Sequence, residues 1–203
     1  MTSDDVLDVA ERLVNEQGLH GVSVRRIAEE LGVSRQVVYT HFDGMNGVFD
    51  RLHLRTGRYL AQEVQALVEP AGSDRRMVEA GLAYCHAARR RPGLFELTFG
   101  HPIAGYEPSV EVVEDLRRVF HEHIVTLVQQ WCGAHDLEAG SREIVADARI
   151  FWSAIHGLVT LERAGHARPD ETNQLVEGTV IALLAGWRAI LPSGEQRSGP
   201  DPS

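Results

Sequence analysis

The run RRIAEELGVSRQVVYTHF, residues 25–42, gathers side chains equipped to read the edge of a base pair. An arginine bridges O6 and N7 of guanine, a glutamine does the same to adenine, and a threonine methyl meets the thymine methyl. Arg35, Gln36 and Thr40 supply these groups within two helical turns. Tyr39 and His41 add a hydroxyl and a ring N–H, and Ser34 opens a helix whose first amides face outward; such groups hold phosphate. The same residues also fit a plainer description, two short surface helices with solvated polar faces.

Other chemistry finds no support in the residues. Ten histidines invite a metal site, but His121-Glu122-His123 sets its imidazoles about 200° apart around a helix, and no Glu-x-x-His pair of the di-iron type occurs. There is no phosphate-binding glycine loop, nucleophile elbow or Cys-x-x-Cys. Cys85 and Cys132 are far apart and read as reduced packing residues. No enzyme activity, metal or cofactor is expected.

The elements that must carry the first cluster follow from hydrophobic spacing. Apolar residues recur at three and four with no sustained alternation, so the expected class is all-α, with about nine helices. These are expected near 4–17, 23–31, 35–42, 46–68, 74–91, 93–99, 109–133, 141–165 and 170–191. Gly18 stands where a left-handed C-cap belongs, Ser23 and Ser34 at N-caps, and Gly32 at a turn between two short helices. Ile27, Ala28, Leu31, Val33 and Val38 then face inward, forming a helix-turn-helix. The expected organisation is a three-helix unit over 1–45, a larger helical domain over 46–192 and a disordered tail over 193–203.

The chain is acidic, with a formal net charge of -9. All of its basic residues are arginine. Residues 1–45 carry Arg12, Arg25, Arg26 and Arg35 against eight carboxylates, so nonspecific attraction to nucleic acid is weak and local placement decides. No basic apolar leader opens the chain, and the longest apolar run, Val180 to Ala185, is too short for a bilayer. A cytoplasmic, nucleoid-associated protein without membrane contact is expected.

From Val6 through Phe49, with GVSVRRIAEELGVSRQVVYTHF at its centre and a long helix directly after, the chain closely resembles the N-terminal domain of TetR/AcrR transcriptional regulators. The resemblance implies a homodimer that binds a palindromic DNA operator, usually represses, and lets go when a small molecule occupies its C-terminal domain. Matched residue by residue, it implies base reading by Arg25, Arg35 and Gln36 and phosphate contact by Tyr39 and His41. One departure stands out. Family members often place a phosphate-holding lysine shortly after the aromatic residue, where this chain has Met45 within Asp43-Gly44-Met45-Asn46.

A second stretch, FWSAIHGLVTLERAGH from Phe151 to His166, resembles the Trp-x-x-x-His-Gly signature of the WHG-type C-terminal domain. Similarity implies that this helix and the last one pair two subunits, through Gly157, Leu175, Ile181, Leu183, Leu184 and Trp187. Candidate effector contacts are Tyr59, Tyr84, Phe95, Phe99, Trp131, Trp152 and His156, though each also makes sense as core packing. The rival to a ligand-responsive regulator is a helical ligand carrier or interaction protein with a vestigial helix-turn-helix.

Overall fold

The computed structural model describes residues 2–100 and 103–192; the expected tail over 193–203 lies outside them. Among the described residues the chain is all-α, with no strand. Its helices are α1 (Ser3–Gln17), α2 (Val24–Leu31), α3 (Arg35–His41), α4 (Gly44–Gln65), α5 (Asp74–Arg90), α6 (Pro92–Phe99), α7 (Val110–Val119), α8 (Thr126–Ala134), α9 (Ser141–Arg163) and α10 (Pro169–Ile190). A π-helical turn, Phe120–Val125, joins α7 to α8, so the helix expected over 109–133 is a continuous rod with one widened turn.

Local chemistry accounts for most of the ends. Thr2 and Asp5 form a reciprocal capping box at the start of α1. The α1 terminus differs in detail from expectation: Gly18 has φ 72° but an extended ψ of 179°, so the chain runs on into a single 3-10 turn rather than a left-handed cap. Helix α2 begins with the Ser23 hydroxyl accepting from the Arg26 amide at 3.2 Å. It ends at Gly32, which is left-handed at φ 66° and ψ 33°, a conformation that strains a side chain bearing a Cβ. Ser34 occupies the N-cap of α3 but makes no side-chain capping bond; its carbonyl accepts from the Val37 amide instead.

The chain divides into two compact units, Met1–Leu60 with Ala87–Arg118, and Ala61–His86 with Val119–Ser203. This division does not follow the boundary expected at residue 45. In the first unit α6 packs against α1, and Leu94, Leu97 and Tyr106 share one core with Val6, Ile27, Val38 and Leu52. The close approach depends on Gly93, where a Cβ would lie 2.4 Å from the backbone oxygen of Val14. Such a contact joins residues far apart in sequence, which hydrophobic periodicity cannot register.

In the second unit α9 lies along α10. Met77, Trp131, Ile155 and Leu184 are fully buried. The Trp131 indole N–H donates to Asp74 at 2.8 Å, and Arg188 reaches the same carboxylate oxygen at 2.6 Å, tying the start of α5 to α8 and α10. Burial raises the pKa of Asp74, but these hydrogen bonds outweigh it and hold the carboxyl below its ordinary value. Cys85 and Cys132 are buried and form no disulfide.

Candidate nucleic-acid interface

Helix α3 spans two turns, and its fixed side explains its free one. Val38 is completely buried and Phe42 nearly so. Full burial of a side chain such as valine stabilises by about 1.5 to 3 kcal/mol, enough to set the rotation of a short helix. Ile27 and Ala28 of α2 are buried beside it, while Leu31 and Val33 are partly buried against the same core, as their spacing predicts. The opposite side of α3 is left to solvent. Ser34, Arg35, Gln36, Tyr39, Thr40 and His41 are all exposed, as is Arg25 on α2.

Several of these groups carry constraints invisible in the sequence. The Thr40 hydroxyl donates to the Gln36 carbonyl at 2.8 Å, which spends its proton inside the helix and leaves the methyl and lone pairs for a partner. Tyr39 lies over Gly44, whose added Cβ would sit 3.5 Å from the Tyr39 ring and whose φ is 59°. The glycine that opens α4 thus seats the tyrosine. Arg25 pairs with Glu29 at 3.6 Å and Arg26 with Glu30 at 3.5 Å, each one turn along α2. Exposed pairs of this kind contribute at most about 1 kcal/mol, so a phosphate or base can displace the carboxylate cheaply. Met45 is partly buried against the core of the first unit rather than projecting into solvent.

These features make a rigid, outward-facing helix with donors, acceptors and a methyl on one side, the equipment needed to enter a major groove. Residues 6–52 match the family model described as bacterial regulatory proteins, tetR family, and residues 77–183 match that described as tetracyclin repressor-like, C-terminal domain. The chain belongs to the TetR family. It is a DNA-binding transcriptional regulator, not an enzyme. This TetR-family chain is 26% identical over 205 residues to the HTH-type transcriptional repressor DrrR1 of Streptomyces coeruleorubidus, covering 99% of this chain and 72% of that one. A protein with unknown function from Rhodococcus sp. RHA1 superposes with a TM-score of 0.73 at 24% identity, over 90% of this chain and 93% of that one. A TetR protein from Acinetobacter baumannii AYE, solved in complex with minocycline, superposes with a TM-score of 0.64 at 19% identity, over 95% and 99% of the two chains. At these identities the two structures establish the fold.

The residues expected at an effector site are drawn from both units. Tyr59, Phe95 and Phe99 belong to the first unit, where Arg91 stacks on Tyr59 with its guanidinium 4.3 Å from the ring centre and Phe95 meets Phe99 at 5.1 Å. In the second unit the Tyr84 hydroxyl and His156 Nδ1 are 2.9 Å apart, and the Tyr84 hydroxyl is also hydrogen-bonded by Trp152. The indole proton of Trp152 leaves the phenol to donate to His156. Trp152 in turn meets His156 at 5.6 Å and Phe120, in the π-helical turn, at 5.8 Å. Burial lowers the pKa of His156, favouring the neutral ring that this arrangement requires, and raises that of Tyr84. Trp131 departs from expectation. It is wholly buried, packed on Trp187 with its N–H on Asp74, and belongs to the core of its unit.

The residues expected at a subunit interface also separate. Gly157, Leu175 and Ile181 are exposed and Leu183 is half-buried. Leu184 and Trp187 are corrected to core residues of their own unit, because they lie on the side of α10 that carries Thr172, Val176 and Val180. Sequence reasoning overlooked Ile150 and Leu161 of α9, both half exposed beside Gly157.

Proposed function

We propose that this regulator acts as a homodimer in the cytoplasm, binds a two-fold symmetric operator at the nucleoid, represses, and is released by a small molecule. The observation that carries the reading is the exposed face of α3, with Arg35 and Gln36 at its start and Tyr39 and Thr40 one turn on. Arg25 and Arg35 with Gln36 read bases; Ser34, Tyr39 and His41 hold the backbone; the Thr40 methyl meets thymine.

Dimerisation is supported by the composition of two outer helix faces. On α9 the exposed residues include Ile150, Ser153, Gly157, Thr160 and Leu161; on α10 they include Leu175, Gly178, Ile181, Ala182, Ala185 and Ala189. Arg149, Glu177 and Arg188 are exposed at the margins of these faces, and the opposite side of each helix already fills the core. Helix α9 is even long and apolar enough to cross a membrane by length and composition. An exposed apolar stripe opposite the core side of a helix is suited to a second partner. A second copy is the partner that a two-fold operator requires. At Gly157, Gly178 and Gly186 a Cβ would have no neighbour within 4 Å, so space for approach exists there.

Effector binding is assigned to the aromatic group Tyr84, Trp152, His156 and Phe120, which offers apolar surface around a short hydrogen-bonded chain from Trp152 through Tyr84 to His156. The minocycline complex of the Acinetobacter protein supports a small-molecule role for this fold, and the name of the Streptomyces relative supports repression. Helix α4, 22 residues and therefore about 33 Å long, begins in the first unit and continues into the second, giving a route for the signal. The test is to retain random-sequence duplexes on the purified protein, sequence them, and repeat with metabolite fractions present. Enrichment of an inverted repeat, lost in one fraction, is expected. Failure to enrich any sequence favours the ligand-carrier alternative.

A further inference from the structure

Glu11 of α1 is a charged residue that the reading face does not use, and its side chain is only 13% exposed. Its Oε2 accepts from Arg55 Nη1 of α4 at 3.1 Å, while Oε1 pairs with the guanidinium of Arg91, the residue that opens α6. Arg55 has other company, since Asp8 lies 2.6 Å from the same nitrogen and Asp4 3.5 Å from its neighbour. For Arg91 the described carboxylate partner is Glu11, and its other contact is the face of Tyr59 on α4. One carboxylate therefore links three helices.

The start of α6 depends on α1 in a second way. The first amides of a helix lack partners within it and must find them elsewhere. Arg91 provides no side-chain cap. Instead the Gly93 amide donates to Asn15 Oδ1 of α1 at 2.8 Å, and Gly93 lies so close to Val14 that no Cβ fits. Helix α6 thus takes its electrostatic partner, its cap and its seat from α1, the helix packed against α2 of the reading pair. Along the chain, α6 directly follows α5, which comes from the second unit.

We propose that Glu11 is a positioning residue for DNA binding: it couples the docking of α6 to the register of the reading helices, so that holding DNA and holding the start of α6 favour each other. This rests on the DNA-reading assignment of α3. Coupling between sites is reciprocal. Bound DNA should therefore tighten α6, and an event that pulls Arg91 from Glu11 should loosen the grip on DNA.

The experiment is hydrogen exchange of the full chain, with and without a duplex selected by the parent protein, followed at peptides spanning 92–99 and, as a control, 175–190. In the parent, DNA should slow α6 exchange by about fivefold or more, the lower end of typical coupling between sites. In Glu11→Gln, which still binds the duplex but more weakly, that protection should vanish while the control peptides stay as in the parent. Should Glu11→Gln fail to fold, Asn15→Ala, which removes only the cap on Gly93, carries the same comparison. If DNA leaves α6 exchange unchanged in the parent, or protects it equally in the variants, Glu11 is a structural staple and the proposal is wrong. If the parent retains no duplex at all, the DNA-reading assignment fails first and takes the proposal with it.

Discussion

His53 offers a sharp test of how the first unit is built. Its side chain is 3% exposed, neither ring nitrogen has a hydrogen-bond partner among the described residues, and the ring stacks on Tyr106 at 5.7 Å. Burial lowers its pKa from 6.5 to about 4, against the opposing pull of Asp50. The unfolded chain therefore takes up a proton near pH 6.5, while the folded chain refuses it until about pH 4. Stability falls with falling pH wherever the unfolded state binds more protons, so acidification through this window destabilises the protein. At about 1.4 kcal/mol per pH unit, the loss approaches 3 kcal/mol at the lower end. His53→Phe keeps a ring against Tyr106 and removes the titration. Urea unfolding at pH 7, 6, 5 and 4, followed by circular dichroism, should show the variant gaining on the parent by about 3 kcal/mol between pH 7 and pH 4. At pH 7 the variant should be at least as stable, because it no longer buries two unpaired nitrogens at a cost of about 1 to 3 kcal/mol each. Equal acid loss in the two proteins would refute the reasoning.

Two further perturbations address the proposed contacts. Met45→Lys lays an aliphatic stem where Met45 packs against the core and brings its ammonium to the surface at the start of α4; operator affinity measured across a salt series should rise at low salt, with the slope steeper by roughly one unit per subunit. Ile181→Glu places a charge on the apolar outer face of α10 and should turn a dimer into a monomer in light scattering while leaving the helical spectrum intact. A persisting dimer would move the interface elsewhere.

The helices were legible in the sequence because the apolar period, glycines and N-cap serines agreed with one another. The exposed face of α3 was legible for the same reason: once Val38 and Phe42 are known to point inward, Arg35, Gln36 and Tyr39 must point out. Other features depended on information that a local pattern does not contain. Helix α10 carries apolar residues on its exposed side as well as on its core side, so its period could not say that Leu184 and Trp187 face the core and Ile181 faces out. The attachment of α6 to α1 rests on pairs such as Glu11 with Arg91, some 80 positions apart. The Ser34 hydroxyl matched an N-cap by type and position, but capping is a matter of side-chain rotation, which residue type leaves open. Trp131 looked like pocket surface because an aromatic in a middle helix suits a pocket and a core equally; its bond to Asp74 decides for the core.

Whether α3 reads DNA through Arg35 is tested most directly by titrating a selected inverted-repeat duplex with the parent and with Arg35→Ala. The variant should bind about 5 to 150 times more weakly, corresponding to about 1 to 3 kcal/mol, and should lose preference at one base position in each half-site. Equal affinity and unchanged base preference in Arg35→Ala would contradict the assignment of the reading face.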